Sequence, residues 1–162
     1  MAKASQNGVM ALFAILLTLV VFAVHHRLAT PPEADCGPTS LLMVCRHFRL
    51  PVTDPVVFAA FQSPVRDTSF EDLRAAAVRL GLSAEGKQMT ESELVEANPV
   101  GVLHMKDHHY VALLGRERTG FLIANPRKSG EAEVSVWPRA YLAANWDGRI
   151  LVVYPPALAG RR

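Results

Sequence analysis

The hydrophobic period of this chain changes once, at Asn98-Pro99, and that change restricts the fold more than any other feature. Before it, apolar residues recur at helical spacing. Leu41, Leu42, Val44, Cys45 and Phe48 form one series after Asp35-Cys36-Gly37-Pro38, with a proline where a first helical turn tolerates it. Asp54-Pro55 opens a second helix expected to reach Phe61. Phe70, Leu73, Ala77 and Leu80 mark a third, with Thr68 and Glu71 spaced as a capping box and Gly81 as its stop. Thr90 and Glu93 repeat the capping spacing for a short fourth helix that stops before Asn98-Pro99. After Pro99 come apolar runs of strand length at 100–105, 109–114, 120–124, 133–137 and 149–154, the first two joined by Lys106-Asp107-His108 as a hairpin. Helices followed by antiparallel strands predict an α+β domain, with N-terminal helices packed on a C-terminal antiparallel sheet, and exclude a doubly wound one.

A second feature splits the chain. Val9 to Val24 carry no charge and one polar side chain, Thr18. Sixteen residues at 1.5 Å rise cover ~24 Å, long for a signal-peptide core and a little short of a ~30 Å hydrocarbon layer. The following His25-His26-Arg27 lacks a clear small-x-small cleavage site, which favours a retained transmembrane helix over a cleaved signal. Residues 1–27 are therefore expected to anchor the protein to a membrane as a single pass, with cleavage and secretion as the alternative, and 28–34, including Thr30-Pro31-Pro32, to act as a stiff linker. The working domain is then 35–154 and the tail 155–162. A start-of-chain segment of this kind usually sends its C-terminal part across, which puts the domain outside the cytoplasm. Seventeen basic residues against fifteen acidic, with no long basic run, lack the footprint of nucleic-acid binding. Two cysteines, Cys36 and Cys45, make neither a disulfide framework nor a C-x-x-C site.

Cys36 carries the chemical interest. A thiol in the first turn of a helix sees the positive end of the dipole and unpaired N–H groups, both of which favour the thiolate nucleophile. Gly37 beside it would let a substrate backbone come close. A cysteine there also reads as a small buried hydrophobe, and what favours chemistry is the rest of the chain. A thiolate needs an imidazole, and the imidazole needs an oxygen to hold its ring. His109 begins one predicted strand and Asn125 ends the next, so neighbouring strand ends ~4.8 Å apart could meet over the helix start. His104, His108 and His109 could also be read as a zinc cluster, but they lie on two sides of a turn without a completing cysteine or carboxylate pair except Asp107. No metal or other cofactor is expected. Cys45 lies nine residues beyond Cys36, ~13.5 Å along a helix, and reads as core.

These residues are familiar as a set. Asp35-Cys36-Gly37-Pro38 with Leu41-Leu42-Met43-Val44, Asp72-Leu73-Arg74-Ala75-Ala76 with Leu80-Gly81-Leu82, His109-Tyr110-Val111-Ala112-Leu113-Leu114-Gly115, Ile123-Ala124-Asn125-Pro126 and the ending Tyr141 to Val152, with Trp146 and Gly148, follow a family order. Together they resemble the bacteriocin-processing cysteine peptidases, the papain-like domains that remove double-glycine leaders in peptide-exporting ABC transporters. The resemblance implies a papain-like fold and a cysteine peptidase acting through a thioester acyl-enzyme. Cys36 would be nucleophile, His109 base, Asn125 orienting group and the Cys36 backbone N–H an oxyanion donor, with Gly37 and His108 near the substrate. It further implies a peptide or protein substrate and a transporter or secretion partner. Two departures stand out. The family's oxyanion glutamine, six residues before the cysteine, is Thr30 here, and the transporter portion has no counterpart in this chain, which carries its own apolar segment. A weak or inactive domain that binds a secretion substrate or partner peptide at the membrane is the alternative the first departure opens.

Overall fold

The computed structural model describes residues 36–61, 68–126 and 132–156, all within the second of two units, 1–32 and 33–162. The expected anchor, the linker with Thr30 and the last residues of the tail lie outside the described residues. Among the described residues, no helix is long and apolar enough to cross a membrane.

Three helices come first: α1 (Cys36–His47), α2 (Asp54–Ala59) and α3 (Phe70–Arg79). The third starts one residue later than the Thr68 spacing predicts. Ser69 is its N-cap, accepting from the Asp72 backbone N–H while the Asp72 carboxylate accepts from the Ser69 N–H, so the box is Ser69–Asp72. An aspartate serves as well as a glutamate here because the loop is satisfied by any carboxylate that reaches back to the cap N–H. At the other end Gly81 has φ +80°, and the bonds from the Gly81 N–H to the Val78 carbonyl and from the Leu82 N–H to the Ala77 carbonyl close a Schellman motif.

The remaining elements are β1 (Ser83–Gln88), α4 (Glu91–Ala97), β2 (Gly101–Met105), β3 (Tyr110–Glu117), β4 (Gly120–Pro126), β5 (Ala132–Pro138), α5 (Arg139–Asn145) and β6 (Trp146–Tyr154). They form one six-stranded sheet of order β1-β6-β2-β3-β4-β5, antiparallel at every pair. The Thr90–Glu93 box caps α4 as its spacing predicts.

Side-chain alternation along β2 and β3 splits the core in two. Val102, Tyr110 and Ala112 point to the face covered by α1 to α3, with Leu41, Val44, Cys45, Leu73 and Ala76. Leu103, Met105, Val111 and Leu113 point to the other face, under Leu94 of α4 and Leu142 of α5. Both faces of the central strands are therefore dry, which is why β2 is buried along its whole length. The sequence predicts five strands. The sixth, β1, has nearly every side chain exposed at a sheet edge and shows no apolar pattern; only its register with β6, from Ser83↔Tyr154 to Gln88↔Arg149, makes it a strand. Helix α5 has a single fully buried residue, Leu142, too little periodicity to read.

Candidate active site

Three elements bring the reactive groups together: the first turn of α1, the turn that leads into β3, and the end of β4. Cys36 opens α1 and is half-buried, while its neighbours Gly37 to Cys45 are all buried. Helix α1 lies across β2, β3 and β4, so its first turn sits against the sheet rather than in water. The Tyr110 backbone N–H donates to the Cys36 Sγ at 3.4 Å, a fixed dipole aimed at the sulfur.

His109 stands immediately before β3. Its Nε2 meets the Oδ1 of Asn125 at 2.7 Å across the β3–β4 pair. An amide oxygen only accepts, so this bond assigns the proton to Nε2 in the neutral ring and leaves Nδ1 for the thiol. The hydrogen bond with Cys36 raises the His109 pKa above its ordinary 6.5; burial opposes the rise, and Asn125, the sulfur's charge and Asp107 add to it. An imidazole held beside a cysteine sulfur is the pairing on which thiol chemistry depends.

The turn before His109 has its own logic. The His108 N–H donates to the Met105 carbonyl, the Met105 N–H to the His109 carbonyl, and His108 has φ +62°. This is a three-residue hairpin loop whose last residue takes the left-handed position that glycine or asparagine usually fills. His108 is thus the pivot that sets His109 at the strand start. Its exposed ring stacks edge-on against His104 at 6.0 Å.

The other sequence candidates separate. Gly37 is buried, and a Cβ built on it would lie 2.8 Å from Cγ2 and 3.0 Å from Cβ of Thr68. The space at Gly37 is filled by Thr68, so the glycine serves the close approach of α1 to its own chain rather than an opening for a substrate backbone. His104 turns from His109 to Asp147, Nδ1 to Oδ2 at 2.6 Å, inside a bulge where Asp147, Gly148 and Arg149 of β6 stand opposite His104 alone. The histidines 104, 108 and 109 thus have different partners, and among the described residues no three His, Cys, Asp or Glu converge as metal ligands. Cys45 is fully buried and its thiol is pushed up to about 11 by burial. Both cysteines are free.

Sequence reasoning misses the Tyr110 donor, since a backbone N–H leaves no signature, and the Asp147–His104 pair, whose partners are 43 residues apart. Two pieces of the arrangement were available earlier: the thiol at a helix start and the imidazole–amide pair on consecutive strands.

A model of the peptidase C39 family matches residues 29–157. The chain belongs to this family. Solved structures similar to this chain include a double glycine motif protease from an AMS/PCAT transporter in complex with the leader peptide, 21% identical with a TM-score of 0.64 over 75% of this chain and 85% of that one. The peptidase domain of Streptococcus ComA, a bi-functional ABC transporter of a quorum sensing pathway, is 18% identical with a TM-score of 0.63 over 78% and 95%. The N-terminal peptidase C39 like domain of a toxin secretion ATP-binding protein from Vibrio parahaemolyticus is 17% identical with a TM-score of 0.60 over 74% and 95%. At these identities the likeness is one of fold: the α+β architecture with its antiparallel sheet is the C39 peptidase fold. A comparison with curated proteins returns no match.

Proposed function

We propose that this C39 family member is an active cysteine peptidase that cuts a peptide bond through a thioester acyl-enzyme. The observation that carries the reading is the convergence of the Cys36 sulfur, which accepts from the Tyr110 N–H, with a His109 ring that Asn125 holds and whose pKa Cys36 raises. In the first step the Cys36 thiolate attacks the scissile carbonyl carbon. Oxygen charge develops next to the α1 start, where the Cys36 backbone N–H has no intrahelical partner and can donate to it. Collapse of the adduct breaks the C–N bond while His109 gives its Nδ1 proton to the leaving nitrogen, which departs as an amine. In the second step His109 takes a proton from water, the hydroxide displaces the thiolate from the thioester, and the acyl half leaves as a carboxylic acid. Asn125 keeps the ring in the one orientation that serves both transfers.

Membership of the family supports a substrate cut after small residues such as a double glycine, the motif named for the AMS/PCAT relative. The apolar run Val9–Val24 supports a domain held to a membrane as a single pass, facing away from the cytoplasm and serving a transporter or secretion partner. The second reading, a weak or inactive domain that binds a peptide, is favoured by one residue: Thr30 stands where the resemblance expects an amide donor.

The deciding experiment uses peptide aldehydes and vinyl sulfones that end in Gly-Gly, with intact mass and peptide mapping as the readout. Covalent capture at Cys36, lost in His109→Ala and absent at Cys45, is the expected outcome. Reversible binding without capture, together with no cleavage of matched peptides, would establish the binding domain instead.

A further inference from the structure

The mechanism above fixes on which side of His109 the leaving half of the substrate must lie, and the structure has a cavity there. His109 hands its proton to the departing nitrogen, so that nitrogen comes within hydrogen-bond reach of the imidazole and the chain beyond it continues past the ring, away from Cys36. A cavity of about 380 Å³ borders His109 and Asn125 without touching Cys36. Met105, Lys106 and Asp107 from the β2–β3 hairpin, Trp137 of β5, and Tyr141 and Asn145 of α5 complete its wall. Nothing in the proposed chemistry uses these last residues.

We infer that this cavity is the subsite for the first one or two residues after the cut. Its wall predicts the preference. Trp137 and Tyr141 meet edge-to-face with ring centroids 5.1 Å apart, and half of Tyr141 is exposed although it belongs to no core. An aromatic pair of this kind offers an apolar or aromatic side chain a contact that glycine cannot use. Asp107 is near enough to influence the His109 ring and repels a carboxylate. Lys106, whose ammonium donates to the Ala144 carbonyl at 2.7 Å, sets a positive charge in the same wall and offsets that repulsion. Asn145 donates through its Nδ2 to the Tyr141 carbonyl, leaving its Oδ1 as an acceptor for the newly released amine or a substrate N–H. Seating a side chain here also keeps water off the His109–Asn125 bond, which strengthens it.

This inference rests on the peptidase reading only for the direction of the substrate, and the test separates the two. The first arm uses the full-length chain in detergent with substrates sharing one acyl half ending in Gly-Gly. The leaving half is either methanol, as a methyl ester, or a peptide that begins with Phe, Leu, Gly or Glu. The expected order of kcat/KM among the peptides is Phe and Leu above both Gly and Glu. In Tyr141→Ala the ratio of kcat/KM for the Phe peptide to that for the ester falls by about five- to tenfold. An unchanged ratio, whether or not both rates fall, overturns the subsite. The second arm needs no catalysis: Cys36→Ala chain carrying 5-fluorotryptophan is titrated with Phe-Ala-Ala and Glu-Ala-Ala. A shift of the Trp137 fluorine signal by the first tripeptide, with the buried Trp146 signal still, supports the subsite even if the parent proves inert, in which case only the peptidase reading fails. No shift at Trp137 with either tripeptide overturns the subsite even if the parent cleaves peptides.

Discussion

Replacing Gly37 by alanine separates a packing role for this glycine from a substrate role. The added methyl would lie 2.8 Å from Cγ2 and 3.0 Å from Cβ of Thr68. The second distance involves an atom fixed to the backbone, so a rotamer change at Thr68 relieves only part of the clash, and α1 or the Thr68 segment must shift. Overpacking of this kind costs about 1–3 kcal/mol. Alanine recovers part of that through helix propensity, up to about 1 kcal/mol and less in a first turn. The net expectation is a loss of about 1–2 kcal/mol, or roughly 4–8 °C in Tm for a domain of this size. Thr68→Ser removes Cγ2 and keeps the hydroxyl. In the Gly37→Ala background it should therefore restore part of the lost stability, with a coupling of about 1 kcal/mol in a double-mutant cycle. Urea titrations of the four proteins, followed by tryptophan fluorescence, measure it. If Gly37 instead exists to admit a substrate backbone, Gly37→Ala leaves the urea midpoint unchanged, raises KM, and is blind to Thr68→Ser; that pattern would refute the packing argument.

Two further outcomes follow from the site's geometry, and a third from the sequence resemblance. Asn125→Ala removes one of the interactions that raise the His109 pKa, so the imidazolium is lost at lower pH and the alkaline limb of kcat/KM moves down, which an NMR titration of the His109 ring checks directly. The sign carries over to stability: a pKa raised in the folded state contributes fully below the unfolded value near 6.5 and is lost as pH rises through the folded value, so the stability gap between pH 5.5 and pH 9 should narrow in the variant. Asp147→Ala takes away the carboxylate that accepts from His104, from the Arg149 side chain and from the Arg149 backbone N–H; leaving the largely buried His104 without it should cost about 1–3 kcal/mol in a urea titration, and an unchanged midpoint would show the bulge is held by backbone pairing alone. Thr30→Gln should raise turnover of a cleavable Gly-Gly peptide by about 10² to 10³ with little change in KM, since an oxyanion donor acts mainly in the transition state; unchanged turnover would mean another donor already serves.

How much of this was legible in the sequence varies with the physics of each part. Helix caps and stops are local, so Thr90–Glu93 and Gly81 could be read directly, and the one-residue error at Ser69 arose because Thr68 and Ser69 are both good caps with a carboxylate three residues on. The apolar central strands announce themselves because both their faces are buried. By contrast β1 and α5 bury almost nothing of their own. Their state is decided by partners distant in sequence, β6 for the one and the cluster of Leu94, Leu103 and Leu113 around Leu142 for the other, and composition carries no trace of that. The chemistry divides the same way. A cysteine at a helix start with a histidine and an asparagine on consecutive strands is a pattern of residue types and order, and the chain alone specifies it. That the His109 proton sits toward Asn125, that a Tyr110 N–H steadies the sulfur, that Thr68 rather than a substrate occupies the space at Gly37, and that α5 closes a cavity beside the imidazole are consequences of packing. They depend on distances between atoms tens of residues apart, and only the closing of the sheet sets those distances.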